Sequence, residues 1–189
     1  MGSGGGRLVG LGRGELDQEQ ARLYDMITGG PRARDKGASP IVDRKGCLAG
    51  PFGPMLLSPT IGEPLQELGA AIRYRSALSP RVREGTILMV AAEEVSRFEW
   101  TAHQALARAA GLTEEELAEI EAGGIPSGST GEESALFEAA LLLAHGGDMD
   151  DSRFHELAAA TSEKALFELC TLVGYYQMLA LVMRLFSIY

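Results

Sequence analysis

Glu99 and His103 stand four residues apart in the stretch Ser96-Arg97-Phe98-Glu99-Trp100-Thr101-Ala102-His103, and their spacing permits chemistry. The stretch opens a helix that runs through Ala110 and stops at Gly111. At the helical period, Thr101, Gln104 and Arg108 form a narrow polar stripe that faces water. With Thr101 at zero, Glu99 falls at about 160° and His103 at about 200°, beside Leu106 and Ala110. Two ionisable side chains one turn apart therefore point inward, which is costly unless each finds a partner. Ser96 and Glu99 also fit a capping box, and His103 fits a core histidine with one hydrogen bond. The functional alternative is an acid–base couple. In it the carboxylate raises the imidazole pKa while desolvation lowers it, so the ring titrates near neutrality.

A second carboxylate lies upstream. Ser79-Pro80 starts a helix, with an N-cap followed by proline at the first helical position. Arg81-Val82-Arg83-Glu84 follows, and then Gly85 to Ala92 without a charge, the pattern of a central buried helix. Glu84, among Arg73, Arg75, Arg81 and Arg83, is either an N-terminal acid paired with an arginine or a second buried carboxylate near His103. In the second case an arginine is left to hold an anionic substrate.

The elements that must position these residues are helices. The 189 residues suffice for one domain with its own core, and 46% apolar with 23% charged residues is ordinary for a globular chain. A net charge of −9 argues against nucleic-acid or anionic-membrane partners. Cys47 and Cys170 belong to no C-x-x-C, so neither a dithiol motif nor a zinc site is written here. Without an apolar leader or cleavage site, a cytoplasmic location is expected.

Residues 1–15, with Gly2-Ser3-Gly4-Gly5-Gly6, read as a flexible tail, and residues 16–189 as the domain. Asp17-Gln18-Glu19-Gln20 caps a helix through Leu23, Tyr24 and Ile27 that stops at Gly29-Gly30. Residues 31–59 have no usable period, but Leu48 to Leu57, with Phe52 at its centre, is too apolar for a free linker and is expected to lie over the site. Thr60 to Tyr74 reads as a helix with Leu65, Leu68 and Ile72 on one face. Thr113 to Gly123 reads as a capped helix whose glutamates are solvated. A box at Thr130-x-x-Glu133 starts a helix that breaks at Gly146-Gly147, and Asp151 to Ala160 is a short helix with His155 at the surface. The final helix, from Glu163 to about Phe186, is apolar on nearly every face. Glu168, Gln177 and Arg184 make it a poor membrane span, so it is a core or subunit-interface helix, with Tyr175 or Tyr176 able to reach a pocket. No segment alternates with period two, so the protein is expected to be all-α with about eight helices.

The runs Leu78-Ser79-Pro80-Arg81-Val82-Arg83-Glu84, Phe98-Glu99-Trp100-Thr101-Ala102-His103 and Ala109-Ala110-Gly111-Leu112 resemble the carboxymuconolactone decarboxylase family, as does Leu172-Val173-Gly174-Tyr175-Tyr176. The resemblance implies the all-α alkylhydroperoxidase-like bundle and a homotrimer or homohexamer. In the redox branch of that superfamily a glutamate, a Cys-x-x-Cys pair and a histidine act together. Here Glu84 and His103 match the glutamate and histidine, while Ser96 and Glu99 occupy the cysteine positions. Disulfide-based peroxide reduction needs two thiols, so that activity is not expected.

The resulting expectation is a lyase of the decarboxylase type, without cofactor or metal, acting on a small carboxylated lactone or unsaturated keto acid. His103 protonates the carbanion, Glu99 orients His103, and Glu84 is a further acid–base group. Ser96, Trp100, Arg81, Arg83, Tyr175, Tyr176 and Phe52 are expected around the substrate, with Arg73 also able to fix its carboxylate. The same Glu/His site could run an isomerisation, dehydration or cyclisation. Two other classes are a redox protein using Cys47 or Cys170 from another chain, and a binding protein whose Glu/His cluster is only structural.

Overall fold

In the computed structural model, which describes residues 7–34, 40–129 and 131–188, regular secondary structure is helical, with two isolated β-bridges and no strand among the described residues. The helices are α1 (Gln18–Gly29), α2 (Phe52–Met55), α3 (Pro59–Arg75), α4 (Pro80–Glu93), α5 (Arg97–Ala109), α6 (Glu114–Glu121), α7 (Glu132–Ala144), α8 (Asp151–Ala160) and α9 (Glu163–Phe186). All eight expected helices are present. The short α2 has too few residues to show a period. The expected glycine tail at residues 2–6 and the capping role of Thr130 lie outside the described residues.

Contacts group the chain into two units, Met1–Ala71 with Leu181–Tyr189, and Ile72–Ala180. In the first unit, Asp17 caps α1 through a complete box with Gln20, and Leu23, Tyr24 and Ile27 are buried. The free tail expected over residues 1–15 does not extend to residue 7. The Arg7 N–H donates to Phe186 O at 2.9 Å, Arg13 makes a two-pronged bond to Asp25, and Gly12 bridges Cys47. Leu48, Met55 and Leu56 are buried, as the apolarity of their segment requires. Gly62 of α3 meets Met55 so closely that an added Cβ would stand 2.4 Å from the Met55 carbonyl oxygen. Leu68 of α3 is 40% exposed; the buried side of that helix runs through Gly62, Gln66, Gly69 and Ile72 instead.

The second unit holds the chemistry-bearing residues. The centre is α4, buried from Val82 to Ala91 apart from Arg83 and packed against α5, α6 and α7. The Ser79 hydroxyl caps it by accepting from Val82 N–H, and Pro80 fills the first helical position. At Gly85 a Cβ would lie 2.6 Å from Cε1 of the fully buried Phe137 on α7, so glycine is what lets the two helices approach. The turn into α5 is tight: Ser96 N–H bonds Ala91 O at 2.8 Å, and Val95 adopts φ +52°, a strained value for a β-branched residue. On α5 the buried residues are Glu99, His103 and Ala107; Glu99 and His103 face inward as the helical period predicts, while Leu106 and Ala110, expected beside them, are half-buried.

The glutamates of α6 divide. Glu114 and Glu115 are exposed, but Glu116 is 4% exposed, contrary to the expected solvated face. It closes the box with Thr113 and also bonds Arg81 and the Gly128 N–H, and these partners offset its burial. In α9, Leu166, Leu169, Leu172, Val173, Leu179 and Met183 are buried. The helix is long and apolar enough to cross a membrane by length and composition alone. Gln177 ties it to the end of α7 by donating to Ala144 O at 3.0 Å.

Candidate active site

The second unit brings three helices to one imidazole. Glu84 comes from α4, Glu99 and His103 from α5, and Tyr176 from α9; they are 2%, 4%, 7% and 9% exposed. His103 Nδ1 lies 2.8 Å from Glu84 Oε2. Its Nε2 faces the other way, 3.4 Å from Glu99 Oε2 and 3.5 Å from the Tyr176 hydroxyl. The Tyr176 ring stands edge-on to the imidazole, with centroids 5.4 Å apart at 89°, and Tyr175 packs edge-on against Tyr176. Each ring nitrogen thus meets a different carboxylate.

The capping box expected between Ser96 and Glu99 does not form, since Ser96 makes no side-chain cap bond and its own N–H goes to Ala91 O. Glu99 turns inward to His103, and its Oε1 is buried with no hydrogen-bond partner among the described residues. An orphaned carboxylate oxygen in the interior is costly, and such atoms call for an explanation.

Electrostatics favour charge on the central pair. Burial pushes the Glu84 carboxyl up, but the hydrogen bond to His103 and the positive charges of His103, Arg73 and Arg83 outweigh it and hold Glu84 below its ordinary value. Burial pushes His103 down, and the hydrogen bonds and negative charges of Glu84 and Glu99 outweigh it, so the ring is held above its ordinary value. Tyr176 is pushed well above the usual phenol value by burial, then by the charge of Glu99, by Tyr175 and by Glu84. The imidazole thus lies between the carboxyl groups of Glu84 and Glu99 and is held towards its protonated form, with the Tyr176 phenol, held towards its neutral form, beside its outer nitrogen.

The arginines separate into two groups. Arg83 Nε donates to Glu84 Oε1 at 3.3 Å, and its two Nη groups have no hydrogen-bond partner among the described residues. Arg73, partly exposed, acts on Glu84 and Tyr176 through its charge. Arg81 is committed elsewhere, donating to Gly111 O at 2.6 Å and to Glu116 and Glu133. It joins the start of α4 to α6 and α7, away from the ring of His103.

Ser96 and Trp100 line a different feature, an open groove of about 550 Å³ with Ala91, Ala92, Val95, Arg97, Thr101 and Glu121. Trp100 is one residue round the helix from Glu99 and so points to another side of α5. Phe52 lies in the first unit, its ring 5.4 Å beneath the Arg32 guanidinium. The sequence alone could not choose between Tyr175 and Tyr176; the hydroxyl that reaches His103 is that of Tyr176.

Glu84 and Glu99 each meet His103, and among the described residues no group of His, Cys, Asp and Glu is arranged to hold a metal ion. The fold and the site define an all-α protein with a buried Glu84–His103–Glu99 cluster. Residues 59–141, the segment that contains Glu84, Glu99 and His103, match the sequence model of the carboxymuconolactone decarboxylase family. No curated protein matches the sequence. Among solved structures, the debrominase Bmp8 shares the fold. A cysteine-to-alanine variant in complex with 2,3,4-tribromopyrrole superposes with a TM-score of 0.69 at 12% identity, over 95% of this chain and 89% of that one. The apo debrominase gives 0.69 at 13% identity over the same shares.

Proposed function

We propose that the protein is a general acid–base enzyme of the decarboxylase type, working without a cofactor on a small carboxylated lactone or unsaturated keto acid. The observation that carries this reading is the position of His103. Glu84 fixes Nδ1 and stabilises the imidazolium, so the proton available for transfer is the one on Nε2. This reading exchanges two roles expected from the sequence. Glu84 does the orienting, and Glu99 stands on the working side of the ring, where its unpartnered Oε1 can accept a proton or a hydrogen bond from substrate.

In the proposed reaction the Arg83 guanidinium attracts the substrate carboxylate. The bond from carbon to the departing carboxylate breaks, CO2 leaves, and the electron pair passes into the conjugated carbonyl as an enolate. Nε2–H then protonates the carbon, and the neutral imidazole recovers a proton from solvent. An isomerisation, dehydration or cyclisation would use the same groups without loss of CO2.

Thiol chemistry is less well supported by the residues at hand. Cys170 is exposed on α9, while the Cys47 thiol lies in the first unit and is held above its ordinary value by burial, Asp43 and Glu15, which disfavours the thiolate. The debrominase therefore contributes the fold to this reading and not its reaction.

The test is NMR in D2O with carboxymuconolactone and a panel of β-keto and vinylogous acids, using the native protein and His103→Gln. Product carrying deuterium at one carbon, lost in the variant, is expected. C–H exchange without CO2 loss would move the enzyme to the isomerase class. Equal turnover by both proteins would remove His103 from the reaction.

A further inference from the structure

Tyr176 is the residue at this centre whose position exceeds what a structural role requires. Its hydroxyl is carried on α9 into the unit's interior, yet the one hydrogen bond it makes there, to His103 Nε2, is long at 3.5 Å. A buried phenol usually finds a hydrogen-bond partner, as Tyr24 does at shorter range in donating to Gly46 O at 3.0 Å. Here the ring is fixed instead of the hydroxyl: edge-on packing against His103 on one side and Tyr175 on the other leaves the oxygen beside the proton-bearing nitrogen. Across Nε2 stands Glu99, whose Oε1 has no partner among the described residues. A phenol with one long hydrogen bond and a carboxylate with one unpartnered oxygen thus flank Nε2.

We propose that the Tyr176 hydroxyl is a catalytic hydrogen-bond donor, binding the substrate oxygen on which negative charge develops while His103 Nε2–H protonates the adjoining carbon. This rests on the reading of His103 as the acid. Charge and proton then meet the substrate from the same side: the enolate oxygen lies on the phenol, its carbon faces Nε2, and an O–H or acidic C–H of the substrate meets Glu99 Oε1. The burial and flanking carboxylates that keep the phenol neutral also keep it a donor across the working pH range. A donor aimed at developing charge in a site closed to water is worth far more than the same bond in solvent.

The probe is propionate 3-nitronate, a carboxylated planar anion isoelectronic with an enolate, compared with 3-nitropropionate. Binding to native protein, Tyr176→Phe and His103→Gln is measured by calorimetry, and C–H exchange in D2O is followed in parallel. Native protein is expected to bind the nitronate at least about tenfold more tightly than the nitro form, and Tyr176→Phe to lose that preference with its melting temperature little changed. Exchange in Tyr176→Phe should fall roughly 100-fold or more, the effect of losing one oxyanion donor. No nitronate preference in the native protein, or an equal preference in Tyr176→Phe, overturns the assignment. His103 as the acid fails on a separate result, C–H exchange that survives His103→Gln.

Discussion

Glu84 Oε2 and His103 Nδ1 lie 2.8 Å apart in the interior, joining the second turn of α4 to the second turn of α5. The bond fixes the ring's orientation and directs Nε2 towards Glu99 and Tyr176. It also makes Glu84 a determinant of how readily His103 holds its proton.

Replacing Glu84 with glutamine keeps the shape and removes the charge. The pKa of His103 should fall, because a hydrogen bond to a carboxylate and its negative charge are both lost. Turnover should drop about 100-fold or more, the usual weight of a positioned acid. The two effects are separable by histidine NMR and steady-state kinetics; an unchanged His103 titration would show that Glu84 is not what sustains the imidazolium.

The same pair fixes a pH window for stability. His103 is raised in the folded state, so its contribution is complete below 6.5 and is lost as pH rises through the folded value. Glu84 is lowered, so its contribution is present above 4.5 and lost as pH falls through the folded value. Thermal melts of native protein and the Glu84→Gln, His103→Gln double variant should therefore differ most between 4.5 and 6.5. A difference that grows above neutrality would mean that His103 is buried neutral.

Arg81 and Arg83 are two residues apart and should give opposite phenotypes. Arg81→Met leaves the buried Glu116 carboxylate without its guanidinium, which costs about 3–5 kcal/mol when one partner of a buried pair is removed. Arg83→Met should leave stability nearer native and raise KM. Melting curves and Michaelis constants measured on both variants decide it; a raised KM in Arg81→Met with native stability would reverse the assignment.

Gly85→Ala tests the packing that sets the site. Its Cβ would stand 2.6 Å and 2.8 Å from two atoms of Phe137, a ring with no room to retreat. Overpacking of this kind costs about 1–3 kcal/mol, or several degrees of melting temperature in a chain of this size. Because Gly85 adjoins Glu84, activity should fall with stability, and a native melting temperature would contradict the close approach of α4 and α7.

The parts of this site that lie on one helix were legible in the sequence. Glu99 and His103 share a face because the helical period is fixed, and Ser79-Pro80 announces the start of α4 by cap chemistry alone. What crosses between helices was not legible. The S-x-x-E pattern at Ser96 matched a capping box, yet the Glu99 carboxylate turned to His103, because a signature records that a bond can form and not what competes for it. Glu116 formed its box and was still buried, since the Arg81 that accompanies it comes from 35 residues away. Tyr176 lies 73 residues from His103, and only the packing of α9 distinguishes it from Tyr175.

The most direct test of the account is the charge state of His103, followed by 15N NMR on protein labelled in its three histidines and assigned with His103→Gln. His103 should stay doubly protonated to a pH above the ordinary histidine value of 6.5, with an Nδ1 proton held in a strong hydrogen bond. Glu84→Gln should lower this titration. A ring that is neutral at pH 6 in the native protein would contradict the account, for Nε2 would then have no proton to give.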